Sequence, residues 1–214
     1  MKFNAIALAC VLASSSALAQ LSLPSIGGLT GGASSSASAG NESAQQDQLV
    51  RAYVAANKEV LVAQSKMAEA VGLKESAAKL KSTADALGDG ATKGNLSDAD
   101  KIQSDSSKEI SERLKDGNLK MDAKSQSLYT SGMASLGTGV VKYIGLRPHI
   151  TNFANTLKAS PMLAMTKLNS GAYVVTNFPG NVKNVYDTLS ISTAYAKSHD
   201  IPVPADATKA LAAF

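Results

Sequence analysis

The chain is poor in the residues that most often build catalytic and metal sites. It has 214 residues with no tryptophan, one cysteine and two histidines, and aromatic residues make up 5% of it. The one cysteine, Cys10, lies in an apolar run near the N-terminus, so the rest of the chain can form neither a disulfide nor a zinc–thiolate site. We interpret His149 and His199 as capping or surface residues because neither belongs to an H-E-x-x-H pair. The sequence predicts no metal site and no cofactor.

Recognisable catalytic motifs are also missing. The chain contains no G-x-S-x-G nucleophile elbow and no Walker loop. Asp98, Asp100 and Glu109 fit three places of a calcium-binding loop, but Ile102 and Gln103 stand where an oxygen ligand and a glycine belong. We therefore interpret these acids as a solvated helix face and predict that the protein is not an enzyme.

No apolar run reaches the roughly 20 residues that a membrane-spanning helix needs. The first run, 5–13, follows Lys2 and precedes small residues that end at Ala19, which is the pattern of a secretory signal peptide. A second uncharged stretch, 125–141, is too rich in glycine, serine and threonine to span a bilayer. We predict a signal peptide over 1–19, no transmembrane segment, and an exported protein that is periplasmic or secreted.

Residues 20–45 are dominated by glycine, serine and alanine and carry almost no charge. Such a composition buries too little apolar surface to offset the entropy lost on ordering. We predict a disordered, flexible linker over this range.

From residue 46 onward, apolar residues recur at spacings of three and four, which is typical of amphipathic helices. We predict a single all-α domain over 46–214, a bundle of five to seven helices. Within it, Ser97 is the predicted N-cap of a third helix with Asp100 in its first turn. That helix is thinly apolar, so we expect it on the outside of the bundle. Residues 172–178 have a strand-like composition, although no partner strand is evident.

Charge divides the domain into three parts. Fourteen of the 17 acidic residues lie between Glu42 and Asp122, and the amphipathic helices predicted over 46–122 contain most of them. The next 64 residues, 123–186, contain six basic residues and no acid, and the last part, 187–214, is predicted as a C-terminal helix and tail. An asymmetry of this kind points to a functional difference between the halves of the chain. The mild net charge of +4 gives no indication of nucleic-acid binding.

Small residues recur in the acid-free segment. Ser131, Ser135 and Gly139 fall at intervals of four, a spacing that lets a neighbouring helix approach closely. A glycine within a helix costs about 1 kcal/mol relative to alanine, so some interaction should compensate for it. Close helix packing and room for a ligand are the two explanations that the sequence leaves open.

Two functions fit these observations. The first is an exported, non-enzymatic binding protein whose acid-free segment meets an apolar ligand or an anionic lipid surface. The second is a structural or protein-interaction bundle of the periplasm or cell surface, with another protein as partner. For the first, we predict flexible methionines and an aromatic side chain as apolar contacts and basic residues as headgroup contacts: Met133, Lys142, Arg147, Phe153, Lys158, Met162 and Met165.

Overall fold

The computed structural model describes the backbone of residues 35–159 and 161–214, and their side chains except those of 35–40 and 163–165. All the regular secondary structure in this part of the chain is α-helical, as predicted. Six helices have 13 residues or more and two are shorter: α1 (Ser35–Ala70), α2 (Lys74–Ala86), α3 (Lys93–Leu114), α4 (Ala123–Gly145), α5 (Arg147–Ala159), α6 (Pro161–Thr166), α7 (Asn169–Ser198) and α8 (Ala205–Ala212). The predicted signal peptide and linker residues 20–34 lie outside the described residues.

The long helix α1 organises the bundle. It runs antiparallel to α4, because Gly139 of α4 lies against Val60 whereas the earlier Gly132 lies against Met67. Helices α3 and α7 run parallel to α1, since two successive levels of hydrogen bonds link the three helices in the same order. Large side chains between α1 and α4 are fully buried. Among them, the rings of Tyr53 and Tyr143 pack edge to face with their centroids 5.6 Å apart.

The uncharged stretch 125–141 forms most of α4, and its glycines are explained by close packing. A Cβ atom on Gly139 would lie 2.7 Å from Val60 Cγ2, and one on Gly132 would lie 2.5 Å from Met67 Cγ. A Cβ on Gly137 would lie 2.6 Å from the backbone oxygen of Asp206, where α8 crosses α4. No helix within the described ranges has the length and apolarity to cross a membrane.

Helix α1 begins earlier than predicted. Residues 35–45, assigned to the linker from their composition, are helical and continuous with the rest of α1. Tertiary contacts hold this end of the helix: Thr156 Oγ1 donates to Gln45 Oε1 at 2.9 Å, and the Gly171 N–H donates to Gln46 Oε1 at 3.0 Å. The composition alone did not indicate these partners.

Two other local predictions are wrong. Helix α3 begins at Lys93 with Thr92 as N-cap, and Thr92 and Asn95 form a reciprocal capping box. Ser97 therefore caps nothing, and Asp100 lies well inside the helix. The strand-like residues 172–178 are helical because they form part of α7, where Val174 and Phe178 pack into the core.

Candidate functional site

The three predicted basic contacts lie on the surface in different surroundings. Lys142 forms an ion pair with Glu59, with Nζ 3.0 Å from Oε2. The Arg147 guanidinium lies over the ring of Phe214, with Cζ 5.4 Å from the ring centroid. Lys158 is exposed near the end of α5. Arg147 and Lys158 are therefore the two of the three that are open to an anionic partner.

The predicted apolar contacts divide between core and surface. Met133 is fully buried and Phe153 is 2% exposed, so both belong to the core and neither is open to a ligand. Phe153 anchors α5, because its ring edge fills the space that a side chain on Gly171 of α7 would occupy. Met162 is 81% exposed. The side chain of Met165 lies outside the described residues.

Three predicted contacts are exposed and form no ion pair, namely Arg147, Lys158 and Met162, and the exposed Lys167 follows α6 directly. We call these four exposed residues of the 147–167 segment the α5–α6 face. Helical spacing places Arg147 and Lys158 on the same side of α5, with the exposed Thr151 and Asn155 between them. All of α5 and α6 belongs to the acid-free segment. The face thus combines three exposed cations with an exposed methionine.

The described residues also form surface grooves elsewhere on the bundle. One of about 180 Å³ lies between α3 and α7, one of about 350 Å³ between α2 and α3, and one of about 540 Å³ beside α1. Their walls come from α1, α2, α3 and α7 and from the 87–92 loop, and include none of the seven predicted contacts. These grooves do not provide the apolar cavity that a carrier of the predicted kind would need.

The most unusual polar cluster surrounds Asp100, which sequence reasoning assigned to a solvated face. Asp100 is only 6% exposed. Its carboxylate accepts hydrogen bonds from Tyr53 Oη at 2.8 Å, Asn57 Nδ2 at 2.7 Å, Tyr173 Oη at 2.9 Å and Asn181 Nδ2 at 2.7 Å. Asp100 therefore joins α3 to both α1 and α7.

Burial changes the acid–base behaviour of this cluster. Desolvation raises the pKa of Asp100, and the hydrogen bonds from its four donors offset part of that effect. Burial, together with the neighbouring Tyr143 hydroxyl and the Asp100 carboxylate, raises the pKa of Tyr53 well above its usual value. Tyr53 therefore stays protonated at neutral pH and keeps its hydroxyl as a hydrogen-bond donor to the Asp100 carboxyl group.

A second polar level follows further along the same three helices. Gln64 Nε2 of α1 donates to Ser107 Oγ of α3 at 2.7 Å, and that hydroxyl donates to Asn184 Oδ1 of α7 at 2.8 Å. Gln103, which is 1% exposed, lies between the two levels on α3. We call this whole interface the polar seam, and it consists of Tyr53, Asn57, Gln64, Asp100, Gln103, Ser107, Tyr173, Asn181 and Asn184.

The histidines do not add a catalytic group to the seam. His199 is the C-cap of α7 and stacks on Tyr195 with ring centroids 3.9 Å apart. His149 lies in the first turn of α5, a helix that contributes no residue to the polar seam. Among the described residues, no three His, Cys, Asp or Glu side chains are grouped so that they could hold a metal ion.

No protein-family profile, curated protein or solved structure matches the chain.

Proposed function

We propose that the protein is an exported, non-enzymatic binding protein that attaches reversibly to anionic lipid surfaces through the α5–α6 face. The observation that carries the proposal is the combination of exposed Arg147, Lys158 and Lys167 with the 81% exposed Met162 in an acid-free segment. Anionic headgroups would meet the cations, and Met162 would enter the interfacial region.

The expected affinity is low. Each lysine or arginine close to an anionic bilayer contributes about 1 kcal/mol, so three cations contribute about 3 kcal/mol. That energy corresponds to roughly a hundredfold preference for an anionic over a neutral membrane. The attraction is screened over a Debye length of about 10 Å at 0.1 M salt. The attachment is therefore reversible and salt-sensitive.

A surface is a better partner for this chain than an enclosed apolar ligand. Met133 and Phe153, two of the side chains expected to contact such a ligand, are part of the core. Apart from Pro148, the exposed residues of α5 between its cations are uncharged and polar: Thr151, Asn152 and Asn155. Helix α5 would consequently rest on the headgroups without inserting into the hydrocarbon.

The same polar side chains favour a second candidate, a protein-interaction bundle whose partner presents acidic groups to the α5–α6 face. Thr151, Asn152 and Asn155 supply hydrogen-bonding groups of the kind found at the rims of protein interfaces. An acidic protein would bind in the absence of lipid, whereas a lipid-surface protein would respond to the headgroup charge of pure vesicles.

Vesicle co-sedimentation tests the proposal. We expect binding to vesicles that contain phosphatidylglycerol at 50 mM salt, little binding at 300 mM salt, and none to pure phosphatidylcholine. The triple variant Arg147→Gln, Lys158→Gln and Lys167→Gln should lose most of the binding.

A matched variant controls for net charge. Lys74→Gln, Lys79→Gln and Lys93→Gln remove three exposed cations from α2 and α3 and change the net charge by the same amount. The proposal requires this variant to bind like the unmodified chain. Equal losses in the two triple variants, or binding of the unmodified chain that ignores headgroup charge, would contradict it.

A further inference from the structure

Among the methionines whose side chains the structure describes, Met162 is the one that faces solvent. It is 81% exposed, whereas Met67 and Met133 are fully buried and Met121 packs against the core with part of its side chain covered. A dissolved oxidant therefore reaches the Met162 sulfur without any opening of the fold. At the two buried positions, the same oxidant must wait until the surrounding helices separate.

The fold tolerates a polar atom at Met162 but not at the buried methionines. An oxygen added to the Met162 sulfur would point into water, because most of this side chain is already in contact with solvent. The hydrogen bond from Thr166 Oγ1 reaches the Met162 backbone oxygen at 3.1 Å and does not involve the side chain. Met67, by contrast, packs so tightly on α4 that its Cγ lies 2.5 Å from the place of a Cβ on Gly132. Oxidation at Met162 therefore changes the surface and leaves the core intact.

Met162 is the apolar member of the α5–α6 face, and its other members are cations. Oxidation converts the flexible thioether into a polar sulfoxide. A sulfoxide gains much less than a thioether from leaving water for the interfacial region of a bilayer. The charges of Arg147, Lys158 and Lys167 are unchanged by this reaction, so oxidation removes the apolar part of the contact and keeps the electrostatic part.

We propose that Met162 is a site of reversible oxidation by hydroperoxides and that the sulfoxide weakens the attachment of the α5–α6 face to lipid. The second part rests on the proposed function. The Met162 sulfur donates an electron pair to one peroxide oxygen and the O–O bond breaks, which gives the sulfoxide and, from hydrogen peroxide, water. Methionine sulfoxide reductases restore the thioether, with a dithiol as the electron donor and water as the second product.

Peptide mapping of the full chain after treatment with hydrogen peroxide tests the site of oxidation. Trypsin places Met67 and Met133 on separate peptides, and fragment ions distinguish Met162 from Met165, which share the peptide 159–167. We expect Met162 to be oxidised at least about tenfold faster than the two buried methionines in the folded chain. In urea the three rates should converge. Equal rates in the folded chain would overturn the assignment.

Vesicle co-sedimentation before and after the treatment tests the release from lipid. The chain that carries the sulfoxide should bind phosphatidylglycerol vesicles about fivefold more weakly, because part of one methionine side chain no longer leaves water favourably. Methionine sulfoxide reductases of both epimer specificities should restore the binding. Met162→Leu has no sulfur at this position, so peroxide should leave its binding at the value measured before treatment. A loss of equal size in this variant would overturn the role of Met162.

The two measurements separate failure of this inference from failure of the proposed function. If the untreated chain does not bind anionic vesicles, the proposed function is contradicted and the release with it, while the peptide map still decides the oxidation site. If the untreated chain binds and the sulfoxide at Met162 leaves the binding unchanged, the release is overturned and the proposed function stands.

Discussion

Asp100→Asn provides a prediction whose sign depends on which of two opposing effects is larger. Burial raises the pKa of Asp100 and its four hydrogen bonds lower it, with burial the stronger. A raised pKa in the folded state means that the folded protein takes up the proton more readily than the unfolded chain. The contribution of Asp100 to stability is therefore fully present below its ordinary pKa of 3.8 and is lost as the pH rises through the folded-state value.

We expect the unmodified protein to gain stability relative to Asp100→Asn as the pH is lowered through that window. The gain is about 1.4 kcal/mol for each unit by which burial raises the pKa. Near pH 7 the variant should be less stable by about 1–3 kcal/mol, because both carboxylate oxygens face an amide donor and the new amide must leave one donor without an acceptor.

Urea unfolding followed by circular dichroism between pH 3.5 and 7.5 measures this difference. Subtracting the two curves cancels the titration of distant carboxylates. The reasoning is refuted if the unmodified protein loses stability relative to the variant on acidification, since the four hydrogen bonds would then outweigh burial.

Two further predictions concern packing. In urea unfolding, the Gly137→Ala variant should be about 1–3 kcal/mol less stable than the Gly145→Ala variant. A Cβ at Gly137 would meet the α8 backbone, whereas nothing lies within 4 Å of a Cβ at Gly145. Equal stabilities would show that α8 moves aside freely. Met133→Ala should cost about 2–5 kcal/mol in the core, and Met162→Ala, at a surface position, less than about 0.5 kcal/mol. A small loss of stability in Met133→Ala would contradict the core position of Met133 and leave it a candidate ligand contact.

The helical class could be predicted because apolar spacing marks the buried face of most helices in this chain. Helix α3 shows where that signal fails. Its apolar stripe is thin, which predicted an outer helix, but its buried residues also include polar ones such as Asp100, Gln103 and Ser107. A single sequence does not distinguish buried polar residues, whose partners are distant in the chain, from polar residues that face solvent.

One signal could have indicated the polar seam. Asn57 and Gln64 interrupt the otherwise apolar stripe of α1, which includes Val50, Val54 and Leu61. A polar residue in such a stripe calls for a buried partner, but the identity of the partner depends on how the helices pack. The acid-free segment could be recognised from the sequence. That Met133 and Phe153 are buried in the core while the cations of the segment are exposed could not be predicted, because it also depends on how the helices pack.

A fluorophore attached at position 162 tests the proposed membrane attachment most directly. An environment-sensitive dye is attached to Met162→Cys in a chain that also carries Cys10→Ser, with Ala78→Cys on α2 as the control site. Helix α2 packs on α1 and α3, and Ala78 is exposed. We predict a blue shift at position 162 with phosphatidylglycerol vesicles at low salt, and none at position 78. No shift at 162, or equal shifts at the two positions, would contradict attachment through the α5–α6 face.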